Sequence, residues 1–317
     1  MSVKSHRRYL VITPCRDEAQ YLKKTIDTMV AQTVLPKRWV IVDDGSTDET
    51  PQILASAEKK YSFISVIQRE DRGKRVVGPG VIEAFNEGLS AVNLNEYDYI
   101  CKLDGDLGLP PRYFEKLMEE MEKDPLIGNL SGKTYIERTN GNWVSERMGD
   151  ENAIGPSKFY RTECFIDIGG FVKQVCWDGI DGHICRMKGW IAGSIDRKEL
   201  RIKHYRPHGS SQENIWVGRK RWGRGKYYMG SSFIYVLAAC AYRIFEFPFL
   251  LGSIGILTGY LSAMKKKEKR YDNPDYLSFL RRYEFKSLLI GKKNNLVNYN
   301  QKIREASVIV NNIRCHR

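Results

Sequence analysis

Residues 97–106 read YDYICKLDGD, a short apolar strand that runs directly into two carboxylates separated by one glycine. Aromatic and β-branched residues favour the extended backbone of a strand. Side chains at positions i and i+2 of a strand point the same way, so Asp104 and Asp106 can face one hard cation. The pattern predicts a metal and phosphate site, and the alternative is a strand that simply ends in an Asp-Gly turn.

Strands alternate with helices before this stretch. Strands are predicted at residues 9–13, 39–42 and 64–68, and apolar residues at helical spacing follow each of them. This alternation indicates an α/β chain with a mostly parallel, doubly wound sheet. After the second of these strands, Ser46 and Glu49 have the spacing of a capping box, which predicts a helix that begins there and continues to about residue 60.

Polar side chains follow three of the predicted strands at the point where each strand ends. The segments are PCRDE at 14–18, DDGS at 43–46 and DGD at 104–106. In open parallel sheets the ligand binds at the carboxyl ends of the strands. Carboxylates that converge on one edge repel one another unless a cation or a donor-rich ligand lies between them. The three segments together therefore predict a ligand site.

These motifs, in this order and spacing, resemble glycosyltransferase family 2, whose members are inverting enzymes. The resemblance implies the GT-A fold, the Rossmann-like α/β fold of nucleotide-diphospho-sugar transferases. It covers about residues 8–210 and predicts a catalytic domain at 1–228, with a nucleotide-sugar half at 1–110 and an acceptor half at 111–228. The resemblance is to bacterial members in particular, and it rests on KLDGDLGLPP at 102–111, VGPGVI at 77–82, and Trp177-Asp178 with Asp181.

The resemblance also assigns roles to single residues. Asp104 and Asp106 match the DxD motif, which in the family holds Mg²⁺ or Mn²⁺ against the donor diphosphate and so neutralises the leaving group. Lys74 stands in a loop where a basic residue often meets the nucleotide. The full set expected to bind the nucleotide sugar is Pro14, Arg16, Glu18, Asp43, Asp44, Lys74, Asp104 and Asp106.

The general base is expected in the acceptor half, near the start of a predicted helix. Most relatives have Glu-Asp here, with the Asp as base, but Trp177 replaces the Glu and leaves both Asp178 and Asp181 as candidates. Residues three apart share a helix face, so both carboxylates can line one pocket. Arg186 and Gly189 fit the arginine and glycine that end this helix in the family, and the resemblance therefore favours Asp178 as the base. The alternative for either aspartate is that it caps the helix.

His204 lies in the stretch KHYRPHGS at residues 203–210, which follows a predicted strand and is expected to close over the diphosphate. An imidazole in this position is a candidate third metal ligand beside the two DxD carboxylates. The alternative is a histidine with a structural role only.

The C-terminal region, residues 229–317, is predicted to be helical and to associate with a membrane. Residues 247–264 form an uncharged run, and KKKEKR follows at 265–270. This pattern favours an interfacial or re-entrant helix at an anionic leaflet. The alternative is a buried helical pair packed on the catalytic domain.

The net charge of +13 suits an anionic partner: phosphate-bearing substrates, a membrane surface or nucleic acid. Seven scattered cysteines without zinc spacing indicate reduced thiols and no structural zinc. The basic N-terminus leads into only five apolar residues, too few for a signal peptide. We therefore expect a cytoplasmic enzyme at the inner face of the cell membrane.

The expected function is metal-dependent transfer of a sugar, with inversion, from a UDP-linked donor to a saccharide or lipid-linked acceptor in cell-surface polysaccharide synthesis. This would be a hexosyltransferase. One rival is a nucleotidyltransferase, which would need a Gly-rich phosphate loop that the N-terminus lacks. The other rival is a basic nucleic-acid-binding protein, which the acidic strand ends oppose.

Overall fold

The computed structural model describes residues 7–74, 76–146, 149–206, 215–245 and 249–315. The chain divides into two compact units. The first comprises Met1–Lys173 and Ala192–Pro207, and the second comprises Gln174–Ile191 and His208–Arg317. This division does not test the predicted domain boundary at 228, which stays a prediction.

The first unit contains a sheet flanked by helices, and a second, smaller sheet. Its elements are β1 (Tyr9–Cys15), α1 (Ala19–Val30), β2 (Arg38–Asp43), α2 (Thr50–Lys60), β3 (Ile64–Gln68), α3 (Pro79–Ser90), β4 (Tyr99–Leu103), β5 (Leu107–Gly108), α4 (Tyr113–Lys123), β6 (Ile127–Ser131), β7 (Lys133–Glu137), β8 (Trp143–Ser145), β9 (Ser157–Arg161), α5 (Thr162–Asp167), β10 (Ile191–Ser194) and β11 (Arg201–His204).

The larger sheet has the strand order β10-β6-β9-β4-β1-β2-β3. Strand β1 pairs in parallel with β2 and β4, and β2 pairs in parallel with β3. These pairings confirm the predicted parallel core of an α/β fold. Strand β9 runs antiparallel to both β4 and β6, so the sheet as a whole is mixed. Because β1, β2 and β4 run the same way, their carboxyl ends meet at one edge.

Strands β1, β2 and β4 are buried on both faces, which explains their continuous apolar sequences. One face presents Tyr9 and Val11 of β1, with their counterparts on β2 and β4, to a core that helices α1 and α4 close. On the other face, helix α3 approaches so closely that a Cβ at Gly88 would lie 2.8 Å from Ile12 Cγ2. A larger residue at this position would push α3 away from the sheet.

The predicted capping box is wrong. Helix α2 begins at Thr50, whose backbone N–H donates to Asp48 Oδ1 (2.9 Å). Ser46 instead forms two hydrogen bonds at the sheet edge. Its hydroxyl donates to Asp43 Oδ1 (2.5 Å), at the end of β2, and accepts from the Asp17 N–H (2.9 Å), in the loop after β1. Contacts with another loop have overridden the local helix signal.

The second unit is helical, as predicted for the C-terminal region. Helices α7 and α9 cross at glycines, because a Cβ at Gly223 would overlap the Ile256 carbonyl oxygen and one at Gly259 would overlap that of Lys220. In the part of the chain that the structure describes, no helix combines the length and apolar character needed to cross a bilayer. The elements are α6 (Trp177–Met187), α7 (Ile215–Tyr228), α8 (Phe233–Tyr242), α9 (Phe249–Lys265), α10 (Pro274–Ile290) and α11 (Lys292–Cys315).

We expect Gly259→Ala to lower the free energy of unfolding by about 1–3 kcal/mol, because the added methyl group forces α9 away from α7. Gly179→Ala is the matched control: it is also a glycine in a helix of this unit, and its Cβ would meet only Met229 Cε at 3.4 Å. Denaturant unfolding followed by circular dichroism measures both. Equal stability of the two variants would show that the α7–α9 contact is not tight.

Candidate active site

The loops after β1 and β2 are joined at the edge of the parallel sheet. Cys15 is the register partner of Asp43, and the Asp44 N–H donates to the Cys15 carbonyl (2.8 Å). Pro14, the residue before Cys15, is paired with Val42 and is half-buried. The structure therefore brings together the first two polar segments that the sequence singled out.

Arg206 connects the loop after β1 to the DxD segment after β4. Its guanidinium contacts Glu18 Oε1 at 2.6 Å and Asp106 Oδ2 at 2.9 Å. Both carboxylate side chains are nearly inaccessible, at 5% and 6% exposure. A buried carboxylate without a compensating charge is costly, so this one arginine stabilises two of them.

His204 lies on the other side of Asp106. Strand β11 pairs with β5, and this register sets His204 opposite Leu107, the residue after Asp106. The imidazole Nε2 is 3.7 Å from Asp106 Oδ1, and Nδ1 is 2.7 Å from Glu146 Oε2. Glu146 thus holds the ring so that Nε2 faces the DxD carboxylate.

These contacts shift the pKa values of both groups upward. Burial raises the pKa of Asp106, and the neighbouring Asp104 raises it further, against the opposing effect of His204 and Arg206. Burial alone would lower the pKa of His204, but the Glu146 hydrogen bond and the nearby carboxylates outweigh it and raise the value. Protonated His204 therefore stabilises the fold below its unfolded pKa of about 6.5, and this contribution is lost as the pH rises through the raised value.

Asp104 is more accessible than Asp106, with 32% of its side chain exposed. Its carboxylate contacts the Lys102 ammonium, which also donates to the Gly155 carbonyl (3.0 Å). The glycine between the two carboxylates packs against the first helix, where Thr25 Oγ1 donates to the Gly105 carbonyl (2.8 Å). The DxD segment is thus held from both sides.

The donor chemistry of this edge fits a divalent cation. Two carboxylates and an imidazole are oxygen and nitrogen ligands that Mg²⁺ or Mn²⁺ accepts. Burial and then the neighbouring Asp104 carboxylate raise the pKa of Asp106, and a bound cation would favour its charged form against both effects. Among the described residues, however, no three His, Cys, Asp or Glu side chains are grouped closely enough to hold a metal ion by themselves. A cation here would need additional ligands from elsewhere.

Two further acidic candidates lie at the end of β2: Asp43 is its last residue, and Asp44 follows it. Asp43 accepts from the backbone N–H of Ser46 (2.9 Å), so its carboxylate holds the turn. Asp44 is contacted at the same oxygen by the guanidinium groups of Arg69, at 2.5 Å, and Arg72. An acidic residue at the predicted nucleoside position is therefore present, and two arginines accompany it.

Arg16 is buried beneath this loop, and Lys74 is exposed on it. The Arg16 guanidinium donates to the Asp44 carbonyl (2.7 Å) and to Asp71 Oδ1 (2.5 Å), so it fixes the loop after β2 to the charged segment after β3. Lys74 belongs to that charged segment, but in this structure the contacts with Asp44 come from Arg69 and Arg72.

Asp178 and Asp181 lie in the second unit, on the first two turns of α6. Cys176 occupies the N-cap position, so neither aspartate is the N-cap residue. Asp178 is half-buried, whereas Asp181 is 1% exposed and accepts from the Gly182 N–H (2.6 Å). The two carboxylates therefore differ in their access to solvent.

Comparison with known proteins identifies the family. The family described as "Glycosyl transferase family 2" matches residues 10–175, slightly more than half of the 317 residues. The chain belongs to glycosyl transferase family 2. It is a glycosyltransferase, and the resemblance drawn from its motifs is confirmed.

The curated relatives match only part of this glycosyltransferase. Poly-β-1,6-N-acetyl-D-glucosamine synthases of Staphylococcus aureus and Staphylococcus epidermidis are 27% and 26% identical over 122 residues. The match covers 38% of this chain and 27% of each relative's length. The shared segment is therefore a minor part of both proteins.

Two solved structures share the GT-A fold with this chain. S. aureus TarS 1-349 in complex with UDP-GlcNAc has a TM-score of 0.52 at 15% identity, covering 95% of this chain and 91% of that one. The mannosyltransferase PcManGT from Pyrobaculum calidifontis, in complex with GDP-Man and Mn²⁺, has a TM-score of 0.50 at 16% identity, covering 93% and 86%. The predicted GT-A fold is confirmed.

Sequence reasoning about this glycosyltransferase missed four residues of the site. Arg206 lies within the segment expected to close over the diphosphate, and Arg69 and Arg72 lie in the charged run at residues 69–75. These three had a signal in their charge. Glu146 had none, because it is a single acidic residue whose partner His204 is 58 residues away.

We expect Glu146→Gln to lower the pKa of His204, since burial then acts without the paired carboxylate. NMR titration of the imidazole in EDTA, assigned with His204→Asn, measures this. Glu137→Gln is the matched control, because Glu137 pairs with Lys203, the residue next to His204, and should leave the His204 pKa unchanged. An unaltered pKa in Glu146→Gln would exclude Glu146 as the group that holds the ring.

Proposed function

We propose that this enzyme binds the diphosphate of a nucleotide sugar at the edge formed by the loops after β1, β2 and β4. The sugar is transferred with inversion to a saccharide or lipid-linked acceptor. The observation that carries the proposal is Asp106 at the carboxyl end of β4, faced by Arg206 and by a histidine that Glu146 holds. Acidic and basic groups that are buried together at a loop edge suit a charged ligand.

The donor is proposed to be UDP-linked. Asp44 offers acceptor oxygens for N–H groups of a base, and Arg69 and Arg72 offer donors beside it. TarS is described in complex with UDP-GlcNAc and PcManGT with GDP-Man, which supports a nucleoside diphosphate sugar as the ligand class. The poly-N-acetylglucosamine synthases support cell-surface polysaccharide synthesis as the setting.

Asp104 and Asp106 would hold Mg²⁺ or Mn²⁺, with His204 as the third candidate ligand. When bound, the cation would neutralise the charge that the diphosphate gains as the sugar leaves. The Mn²⁺ described with PcManGT supports this dependence. The diphosphate oxygens would supply the ligands that the protein lacks.

Arg206 would contact the diphosphate in this arrangement. Its guanidinium now bonds two carboxylates, and phosphate oxygens compete for the same donors. Glu146 would meanwhile keep Nε2 of His204 turned toward Asp106. The chain therefore contributes a guanidinium that can exchange carboxylate for phosphate oxygens, and an imidazole whose orientation Glu146 maintains.

Asp178 is proposed as the general base. A base must come within hydrogen-bond reach of the acceptor hydroxyl, which requires an accessible carboxylate. Asp178 is half-buried on the first turn of α6, whereas Asp181 is 1% exposed and bonds the backbone. Asp181 is better suited to orient neighbouring groups. Family membership favours this transfer over the nucleotidyltransferase and nucleic-acid-binding alternatives.

We expect Asp106→Asn to abolish the mutual enhancement of Mn²⁺ and UDP binding, because the amide cannot supply the charged oxygen that couples the two ligands. Isothermal titration of UDP with Mn²⁺ and with EDTA measures this coupling. Asp48→Asn, in the loop before α2, is the control and should retain it. UDP binding that is the same with EDTA, Mn²⁺ and Asp106→Asn would contradict the metal role.

We expect Asp178→Asn to lower kcat by a factor on the order of a hundred or more while UDP binding stays unchanged, the usual effect of losing a general base. Asp181→Asn should act mainly on the KM of the acceptor. Rates with varied acceptor, together with donor affinity by titration, separate the two. The opposite pattern would move the base to Asp181.

A further inference from the structure

Helices α8 and α9 of the second unit expose an unusual amount of apolar side-chain surface. Ile234 on α8 is 70% exposed, and Phe245, which follows α8, is 85% exposed. On α9, Leu250 and Leu251 are 54% and 62% exposed. Exposed helix faces in water usually carry charged and polar residues instead. We call this set the α8–α9 apolar face: Ile234, Leu237, Phe245, Phe249, Leu250, Leu251, Ile254, Leu261 and Met264.

Helix α9 carries apolar residues on two sides, and the two sides differ in their exposure to solvent. The exposed residues Leu250, Ile254 and Leu261 recur at helical spacing along one side. The buried side contains Gly255 and Gly259, which let α7 approach closely. The glycines account for the close packing of α9 on α7, whereas the exposed side carries no charged residue from Leu250 to Met264.

A cluster of lysines borders the α8–α9 apolar face. Lys265 ends α9, and Lys266, Lys267 and Lys269 follow it, all exposed. Glu268 within this run pairs with Arg224 and so does not neutralise the lysines directly. An anionic lipid leaflet has an apolar interior and a negatively charged headgroup layer. Apolar side chains flanked by several lysines match that structure.

We propose that the α8–α9 apolar face lies on an anionic lipid bilayer, with its apolar side chains in the headgroup boundary and the Lys265–Lys269 cluster on the lipid phosphates. A second copy of this chain is a poorer occupant. With a net charge of +13, a second copy offers the lysine cluster no excess of anionic partners. The inference does not depend on the proposed donor site, since no residue of that site takes part.

The test uses the full chain and sedimentation with phosphatidylcholine vesicles, with and without phosphatidylglycerol. The wild type should bind vesicles that contain phosphatidylglycerol, and salt should weaken this binding only in part because apolar burial remains. Leu251→Glu should lower the partition coefficient about tenfold or more, since it replaces apolar burial with a charge. Ile166→Glu is the matched control: Ile166 is 56% exposed in the first unit and should leave binding unchanged.

A second variant separates the two parts of the surface. Lys265→Gln with Lys266→Gln and Lys267→Gln should lose most of the preference for phosphatidylglycerol. An unchanged circular dichroism spectrum and melting temperature would show that each variant is folded. A wild type that ignores vesicles, or an equal loss in Ile166→Glu and Leu251→Glu, would overturn the proposal. A dimer in ultracentrifugation that Leu251→Glu dissociates, without vesicle binding, would assign the face to a second copy instead.

Discussion

Asp106 is a carboxylate buried next to another carboxylate, and its negative charge has to be balanced within the protein. Arg206 contacts it from one side at 2.9 Å, and His204 faces it from the other at 3.7 Å. Both residues come from β11 or directly after it, so the pairing of β11 with β5 is what brings the balancing charges to the end of β4. Glu146 extends the same network by one further buried carboxylate. Acidic and basic side chains therefore alternate along this edge, and each offsets the charge of its neighbours.

This arrangement explains how one edge can serve an anionic ligand although its most conspicuous residues are acidic. Three of the buried acids have basic partners: Asp106 and Glu18 share Arg206, and Asp44 has Arg69 and Arg72. In the proposed function, phosphate oxygens take over the arginine donors while a cation takes over the carboxylates. Binding would then leave nearly as many charged groups paired as before. The free-energy cost of burying charge on ligand binding would therefore stay low.

The uncharged, glycine-containing sequence of α9 forms a helix with one packed side and one exposed side. The glycines of α9 let it pack closely on α7, whereas Leu250, Leu251 and Ile254 are exposed. From sequence, the uncharged run at 247–264 was compatible with burial in the protein and with contact to lipid. The structure assigns the glycine side to packing, and the exposed side is the basis of the proposed membrane contact.

The sequence by itself determined the features that repeat over short distances: the alternation of strands and helices, the carboxylates at the ends of β1, β2 and β4, and the family. It did not determine which residues meet across the fold. Ser46 bonds Asp17 rather than capping α2, β9 runs antiparallel, and the Glu146–His204 and Glu18–Arg206 pairs join residues 58 and 188 positions apart. Periodicity reports which side of an element is buried, but strand order decides its neighbours, and only the tertiary structure sets that order.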